Sequence, residues 1–390
     1  NEGRSDDFKE CFAITHFFNP PRYLNLFEVV PGPDCKKGIL DFLLDYGEKF
    51  LGKTSVLAKD TPAFIGNRIG IFGIMSLFHQ IKNGEYSVEE VDKLTGPAIG
   101  RPKSATFRTA DIAGLDTMCH VANGVYEKCK DDESREVFKL PDFLQKMLDN
   151  NMLGSKTGKG FYKKIKDDNG KSKILARDLN TFKYNEQKKV SYETLKNARK
   201  CKKRDEKFKT LISGNDKASK FYEENFARMF GYIQNRIPEI SNDITSIDAA
   251  LKTGFGWKDG PFEIWNYIGV KEGVELMKKF DLKPAEWINE MIKKNTNNFY
   301  RINDGFREYY DINSNSFNKI AGQDGFIILK NTPENKVIWS NNEARLIDIG
   351  DDILNLEFGS KMNSINQNII KALDKSIDIA EKDFKGLVLG

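Results

Sequence analysis

Three polar residues near the start of the chain lie in apolar surroundings and could together carry out proton transfer. His16 precedes Phe-Phe-Asn-Pro-Pro, Glu28 lies within Leu-Phe-Glu-Val-Val, and Asn67 follows Pro-Ala-Phe-Ile-Gly. An imidazole changes protonation near neutral pH, a carboxylate can orient it, and an amide can bind a substrate carbonyl. These residue types fit the oxidation of an alcohol that lies next to a carbonyl group.

The segment around His16 predicts how two of these residues meet. The apolar run before His16 is expected to form a buried strand that ends at Pro20 and Pro21, because proline cannot continue a central strand. The imidazole would then lie at a strand end, where open α/β sheets bind ligands. A hairpin-like return through residues 19–22 would place the Glu28 carboxylate beside the imidazole.

The segment around Asn67 predicts a helix. Thr61 resembles an N-cap with Pro62 at the first helical position, so Asn67 would fall within the first two turns. The apolar stretch 64–81 contains Asn67, Arg68 and further polar residues, which favours a buried helix over a membrane span.

These segments resemble the L-3-hydroxyacyl-CoA dehydrogenase family, whose His-Phe-Phe-Asn-Pro motif carries the catalytic histidine. The resemblance implies an acyl-CoA substrate and NAD as the cofactor. By position, it makes His16 the base that takes the proton of the 3-hydroxyl, Glu28 its partner and Asn67 a substrate-binding residue. Asn19 would contact the nicotinamide. Lys156, in Lys-Thr-Gly-Lys-Gly-Phe-Tyr, would also bind the cofactor, with an exposed loop cation as the alternative.

The fold class that the resemblance implies is mainly α with α/β parts. Residues 1–58 would form the C-terminal part of a Rossmann-type NAD-binding domain, and residues 59–163 a helical domain, in which Ser87 caps a helix. The sequence contains no Gly-x-Gly-x-x-Gly loop and no Asn-Thr-Ser segment. We therefore expect most of the nucleotide-binding half to precede residue 1, so that the chain is an internal piece, inactive alone in hydride transfer. The alternative is a non-catalytic helical CoA-binding or assembly module.

A second helical unit is predicted by internal similarity. Residues 92–100 and 248–256 both begin with Asp and end with Gly, and Ala-Asp-Ile-Ala-Gly-Leu at 110–115 matches Trp-Asn-Tyr-Ile-Gly-Val at 265–270. Residues 217–340 are therefore expected to repeat the first helical domain. Two tandem copies could pack on each other, an arrangement that resembles multifunctional fatty-acid oxidation proteins, in which the second copy replaces a homodimer partner. A homodimer remains an alternative.

The match between the repeats extends to Asn67-Arg68 and Asn235-Arg236. Asn235 has no His-containing strand before it, so the second copy is expected to be structural. The first repeat also departs from the family pattern Gly-x-Pro-Met-Gly-Pro-Phe, because residues 100–107 read Gly-Arg-Pro-Lys-Ser-Ala-Thr-Phe. Lys103 or Arg108 could contact the phosphates of CoA or simply solvent.

The segment 164–216 is predicted to be a basic, solvated helical linker between the repeats. Eleven Lys or Arg residues lie between positions 183 and 209, but few aromatic residues interleave them and no nucleic-acid motif accompanies them. Nucleic acid is therefore not an expected partner.

In the last segment, 341–390, the sequence pattern changes from that of helices to that of strands followed by a helix. In residues 344–358, apolar and polar residues alternate on both sides of a Gly-Asp turn, which predicts a hairpin, and residues 360–365 lead into a helix. This pattern resembles the N-terminal part of a crotonase, or enoyl-CoA hydratase, domain. The remaining catalytic groups would lie beyond Gly390, so no hydratase activity is expected of this polypeptide. The order of domains resembles that of fused bacterial β-oxidation proteins, and a thiolase partner is left open.

The composition argues for an ordinary globular protein. The length of 390 residues allows two or three domains. The chain is 39% hydrophobic and 30% charged, with a net charge of +4, as is usual for a globular protein. Five cysteines without a Cys-x-x-Cys pair predict reduced thiols and no structural metal. No basic-apolar-cleavage pattern opens the chain, and a cytoplasmic location is expected.

Overall fold

The computed structural model describes residues 2–81 and 84–390; residue 1 and residues 82–83, which fall inside the expected domains 1–58 and 59–163, lie outside the described part. The chain forms two compact units. Of the described residues, the first contains 2–81, 84–299 and 312–315, and the second contains 300–311 and 316–390.

The first unit begins with a three-stranded sheet and two helices: α1 (Asp6–Glu10), β1 (Ala13–Phe17), β2 (Leu26–Pro31), α2 (Lys37–Lys49) and β3 (Thr54–Leu57). The sheet order is β1-β2-β3, with β1 antiparallel to β2 and β2 parallel to β3. The buried strand is β2, whereas Ile14 and Phe17 on β1 are 37% and 39% exposed. The prediction of a buried strand at His16 is therefore wrong, because β1 is the edge of this sheet and its side chains are only partly covered.

The helices that follow are α3 (Gly66–Gln80), α4 (Val88–Thr95), α5 (Phe107–Ala113), α6 (Leu115–Lys128) and α7 (Asp142–Asp149). Helix α3 begins at Gly66 and not at Pro62, because Ala63 and Phe64 have φ angles of +67° and +49° and cannot continue a right-handed helix. The predicted N-cap at Thr61 is thus wrong. The predicted cap at Ser87 is confirmed, since its hydroxyl accepts the Glu90 N–H at 3.3 Å in a capping box.

The segment 164–216 is folded and is not a solvated helical linker. It contains most of a three-stranded antiparallel sheet, β4 (Tyr162–Lys166), β5 (Ser172–Arg177) and β6 (Tyr184–Glu186), followed by helices α8 (Glu193–Ala198) and α9 (Arg204–Ile212). Phe208 and Leu211 on α9 are fully buried, and the Phe208 ring stacks on Tyr267 at 5.8 Å. Lys202, Lys203 and Lys209 are exposed whereas Lys207 is partly buried, so a packed helix is present within this basic segment.

The remaining helices of the first unit are α10 (Lys217–Asn235), α11 (Ile244–Gly254), α12 (Pro261–Ile268), α13 (Val270–Lys278) and α14 (Glu286–Lys293). One local feature seen among α4–α7 recurs here. The Asp92 carboxylate accepts the N–H groups of residues 106–108 at the start of α5, and the Asp248 carboxylate accepts those of residues 262–263 at the start of α12. Both carboxylates thereby satisfy backbone donors that a helix start leaves unpaired.

One of the predicted matches between the repeats is wrong. Asn67 is the second residue of α3, whereas Asn235 is the last residue of α10. The spacing of 156 residues that relates Asp92 to Asp248 differs from the spacing of 168 that relates Asn67 to Asn235. The shared Asn-Arg pair therefore does not mark equivalent positions.

Helices α3 and α10 pack against each other. The Phe72 and Tyr232 rings stack with centroids 3.6 Å apart. Beside them the Asp132 carboxylate, which is fully buried, accepts hydrogen bonds from Arg68 at 2.6 Å and from Arg236 at 3.0 Å. A buried carboxylate shared by two arginines thus joins α3 to the end of α10.

The second unit consists of two sheets and one long helix. Strands β7 (Tyr300–Asn303), β8 (Phe306–Asp311) and β9 (Ser316–Lys319) are antiparallel, and a separate sheet contains β10 (Val337–Ser340), β11 (Ala344–Gly350), β12 (Ile353–Phe358) and β13 (Gly386–Leu389). Helix α15 (Gln367–Asp383) connects β12 to its parallel neighbour β13. The predicted hairpin is confirmed, with positive φ angles at Asp351 and Asp352 in its turn. The unit begins near residue 300, however, and not at the expected boundary of 340.

Candidate active site

The strand pair β1–β2 brings His16 and Glu28 together. Their Cα atoms are direct partners in the antiparallel register, and His16 Nδ1 lies 2.6 Å from Glu28 Oε2. The expected pairing is confirmed. An ionised carboxylate can only accept a hydrogen bond, so this contact favours the tautomer that has its proton on Nδ1 and its lone pair on Nε2. The imidazole is thus held as a base, with 32% of its side chain exposed.

Glu28 also fixes the start of α3. Its second oxygen, Oε1, accepts the N–H groups of Ile65 at 3.0 Å and Gly66 at 2.8 Å. A carboxylate at a helix N-terminus is stabilised by the unpaired N–H groups and by the helix dipole. One buried carboxylate therefore orients the imidazole and anchors the helix that presents Asn67.

Gly66 allows this close approach. A Cβ atom at this position would lie 2.6 Å from Cζ of Phe18 and 3.0 Å from Cδ2 of Leu26. Any larger residue would push the start of α3 away from the sheet, and the hydrogen bonds to Glu28 would lengthen.

His16, Asn19 and Asn67 line one cavity of about 600 Å³. Within residues 2–81 and 84–390, the side-chain amides of Asn19 and Asn67 form no hydrogen bond to the protein, so both are available to a ligand. Most of the remaining lining is apolar. The structure therefore joins three of the five predicted site residues at one cavity, with Glu28 directly behind the imidazole.

Aromatic rings hold the imidazole in place. The Phe18 ring lies 5.1 Å from it at an angle of 67°, and the Phe64 ring lies 5.6 Å from it at 58°. Such aromatic contacts restrict rotation of the imidazole. Sequence reasoning missed both residues, although the phenylalanines beside His16 and before Asn67 were a visible signal.

The second helical half contributes to the same cavity. Gly254 and Phe255, at the end of α11, line it, and the Phe255 ring lies 5.6 Å from that of Phe18. A Cβ atom at Gly70 on α3 would lie 2.1 Å from the Phe255 ring, so this glycine gives the ring its space. No local sequence signal pointed to these residues, because they are about 240 positions from His16 in the chain.

Lys156 is not at this cavity. Its ammonium donates a hydrogen bond to the Asp116 carboxylate at 2.5 Å, and both side chains are nearly half exposed. This hydrogen bond lowers the pKa of the Asp116 carboxyl. The structure therefore does not bring Lys156 together with the other predicted residues.

Two further features of the described residues concern ions and membranes. Among residues 2–81 and 84–390, no group of three or more His, Cys, Asp or Glu side chains is arranged to hold a metal ion, and all five cysteines are free thiols. In the same part of the chain, no helix combines the length and apolar character that crossing a bilayer requires.

Two family models match the first part of the chain. Residues 5–61 match the NAD binding domain of 3-hydroxyacyl-CoA dehydrogenase, and residues 64–164 match the C-terminal domain of 3-hydroxyacyl-CoA dehydrogenase. The boundary between these matches falls between β3 and α3, just before the turn that leads to Asn67.

Two relatives are similar to this chain over all or nearly all of its length. A "Probable 3-hydroxyacyl-CoA dehydrogenase" of Bacillus subtilis is 44% identical over 390 residues, which is 100% of this chain and 48% of that protein. A Rickettsia prowazekii protein, provisionally named a fatty acid oxidation complex trifunctional enzyme, is 28% identical over 98% of this chain and 49% of its own length. The chain thus spans about half the length of these relatives.

A solved structure shares the fold. The crystal structure of 3-hydroxybutyryl-CoA dehydrogenase from Escherichia coli matches with a TM-score of 0.53 at 17% identity, over 72% of this chain and 70% of that one.

Proposed function

Because this chain belongs to the 3-hydroxyacyl-CoA dehydrogenase family, we propose that the protein that contains it oxidises L-3-hydroxyacyl-CoA to 3-ketoacyl-CoA with NAD. The observation that carries the proposal is the His16–Glu28 pair facing one cavity with the free Asn67 amide. A base, its orienting carboxylate and an amide donor are the groups that removal of a proton from an alcohol beside a carbonyl requires.

The residues have distinct roles in the proposed reaction. Nε2 of His16 takes the proton of the 3-hydroxyl group as the bond from C3 to its hydrogen breaks and a C3 carbonyl forms. Glu28 keeps Nδ1 protonated and stabilises the imidazolium that results. The Asn67 amide donates a hydrogen bond to the substrate carbonyl. Bound NAD supplies the acceptor for the hydride that leaves C3.

The residues present fit the nicotinamide end of the cofactor. Asn19 places a free amide at the cavity, and an amide that can both donate and accept suits the carboxamide of a nicotinamide. The sequence contains no Gly-x-Gly-x-x-Gly loop for the pyrophosphate, so we propose that the chain alone does not bind NAD productively. Lys156 has less support as a cofactor residue, because its charge is already paired with Asp116.

We also propose that the two helical regions are tandem copies of one unit. Two observations support this proposal. Asp92 and Asp248 occupy corresponding places at the starts of α5 and α12, and the Phe72 ring of α3 stacks on the Tyr232 ring of α10. The second copy would then occupy the place of a homodimer partner.

The second unit is proposed to be the start of a crotonase-type hydratase domain. The arrangement of β12, α15 and β13, with parallel strands joined by a helix, supports this part of the proposal. The provisional name of the Rickettsia relative is consistent with such a fusion. A thiolase partner and a cytoplasmic location belong to the same proposal and follow from the family resemblance alone.

The proposal is tested by His16→Gln in the full-length protein that contains this sequence. We expect kcat for acetoacetyl-CoA-dependent oxidation of NADH to fall roughly 10²- to 10⁴-fold, because the general base is lost. The Kd for acetoacetyl-CoA should stay the same. His120→Gln, which changes an exposed histidine on α6, is the matched control. Unchanged turnover in His16→Gln would contradict the proposal and favour a non-catalytic CoA-binding or assembly module.

A further inference from the structure

Two adjoining cavities form a basic groove in the first unit. The larger, of about 770 Å³, is lined by Lys103, Arg108, Lys188 and Lys189, among others. The smaller, of about 320 Å³, is lined by Arg199 and Lys207. Lys93 and Pro97 line both, so that they form one continuous surface, here called the basic groove.

The positive charge of the basic groove is not neutralised by the protein. In the described part of the chain, none of its Lys and Arg side chains takes part in an ion pair. Only two carboxylates line it. Asp92 is occupied by the N–H groups of residues 106–108 and by the Tyr162 hydroxyl, and Glu89 accepts the N–H of Lys188.

The electrostatics of the smaller cavity agree with this picture. Burial lowers the pKa of the Lys207 ammonium, and the nearby positive charges of Arg204, Lys258 and Arg199 lower it further. An anion in this cavity would relieve the repulsion among these cations.

The basic groove adjoins the cavity that contains His16. One short segment forms part of both walls: Pro102, Ser104 and Thr109 line the His16 cavity, whereas Lys103 and Arg108 line the basic groove. The Thr109 hydroxyl lies 2.8 Å from the Ser104 hydroxyl and 2.6 Å from the Ala105 carbonyl, so the segment is braced internally. The two cavities share no lining residue, so this segment lies between them, and a ligand long enough to pass over it could occupy both.

The chemistry of the two cavities differs in the way that the two ends of a CoA thioester differ. The His16 cavity is mainly apolar and suits an acyl chain and its thioester. The basic groove offers cations for phosphates, and the apolar side chains of Ile174 and Val190 for the face of a base. Phosphate groups favour sites with several unpaired Lys and Arg residues.

We propose that the basic groove binds the phosphorylated nucleotide end of the CoA thioester whose acyl end occupies the His16 cavity. This assignment rests on the proposed function and adds a second, phosphate-binding subsite to it. It also assigns a role to Lys103 and Arg108, which occupy a loop that departs from the usual family pattern.

The test compares two thioesters in the full-length protein. Acetoacetyl-CoA carries the phosphates, whereas acetoacetyl-pantetheine lacks them. For the double variant Lys103→Gln/Arg108→Gln, we expect the Kd for acetoacetyl-CoA to rise roughly 10- to 100-fold, because two charge-assisted contacts are lost. The Kd and kcat for acetoacetyl-pantetheine should not change. Both substituted side chains are exposed, so the fold should be retained.

A matched control removes the same charge elsewhere. Lys202→Gln/Lys203→Gln changes two exposed lysines of the same basic segment that do not line the groove, and its Kd for acetoacetyl-CoA should stay within about two-fold of the wild type. Lys207→Gln tests the smaller cavity separately and should also weaken acetoacetyl-CoA binding.

The outcomes separate this assignment from the proposed function. Equal affinity of the wild type and Lys103→Gln/Arg108→Gln for acetoacetyl-CoA, with acetoacetyl-pantetheine still reduced, would overturn the groove assignment alone. Failure of the wild type to reduce either thioester would overturn the proposed function. Adenosine 3′,5′-bisphosphate is the probe for the groove itself: binding to the wild type that is lost in the double variant supports the assignment.

Discussion

The two helical regions of the first unit are built with similar local devices, but only one of them faces a base. Asn67 begins α3 beside His16 and leaves its amide free at the cavity. Asn235 ends α10, and its amide donates to Glu133 at 3.1 Å and to the Gly231 carbonyl at 3.3 Å. Similar helical regions can therefore differ in function, because only the region that contacts the β1–β2 hairpin lies beside a base.

The second region nevertheless has a role at the site. Phe255 closes one wall of the cavity, and Asp132 connects Arg68 on α3 with Arg236 after α10. The first region supplies the reacting groups, and the second restricts the space in which they act.

Loss of Asp132 should break the link between the two regions and have the largest effect. Asp132→Ala removes the fully buried carboxylate that accepts hydrogen bonds from Arg68 and Arg236, and it leaves the partly exposed Glu239 as a carboxylate that both arginines still contact. The free energy of unfolding should therefore fall by about 3 kcal/mol or more. Denaturant titration measures this change. Asp131→Ala removes an exposed carboxylate next to it and is the control. Equal midpoints for the two variants would show that the cluster does not hold the regions together.

The pH dependence of stability should differ between the wild type and Asp92→Asn. Burial raises the pKa of the Asp92 carboxyl to about 6. The folded protein therefore binds this proton more tightly than the unfolded chain does, and stability from this group falls as the pH rises from about 4 to about 6. The loss should reach about 3 kcal/mol and stay constant above about pH 6.

Denaturant titrations between pH 4 and pH 7 measure this dependence. The difference in unfolding free energy between the wild type and Asp92→Asn should decrease over that range by the same amount. Parallel curves would exclude Asp92 as the titrating group.

A substitution at Asn67 should affect catalysis far more than the same substitution at Asn235. Asn67→Ala removes the free amide at the cavity, and kcat should fall roughly 10²-fold. Asn235→Ala removes only surface contacts, and kcat should remain within about two-fold of the wild type. Steady-state kinetics with acetoacetyl-CoA and NADH measure kcat for both variants. Similar decreases in kcat for both would contradict the proposal that only the first region supplies a residue to the reaction.

Helix caps should have small effects in both regions. Ser87 caps α4 and Asp243 caps α11, each through a hydrogen bond from the N–H three residues later, and Asp243 also accepts the Thr245 hydroxyl at 2.6 Å. Ser87→Ala should lower the free energy of unfolding by about 1 kcal/mol and Asp243→Ala by about 2 kcal/mol, with kcat unchanged in both. A change in melting temperature for only one of the variants would show that the two helix starts are not equivalent.

The sequence predicted the site better than it predicted the surrounding structure. His16 and Glu28 could be paired from the sequence because a short hairpin between two apolar runs fixes the register of their side chains. The start of α3 could not be predicted, because the conformations of Ala63 and Phe64 depend on Glu28 accepting the first helical N–H groups.

Other features depend on contacts between residues far apart in the chain. Phe255 reaches the cavity only because α11 packs beside α3 and β2, and Phe208 is buried within a segment whose composition is strongly basic. Local patterns report neither kind of contact. The position of Lys156 could not be predicted from the sequence either, since its pairing with Asp116 depends on the fold of a distant loop.

Transfer of a label from deuterated NADH tests the central claim most directly. The full-length protein is incubated with acetoacetyl-CoA and NADH in which both hydrogens at C4 of the nicotinamide are replaced by deuterium, and the product is analysed by mass spectrometry and NMR. We expect deuterium at C3 of 3-hydroxybutyryl-CoA with the wild type and almost none with His16→Gln. Product without deuterium at C3, or equal labelling by the variant, would contradict the assignment of His16 as the acid–base residue of a hydride-transfer site.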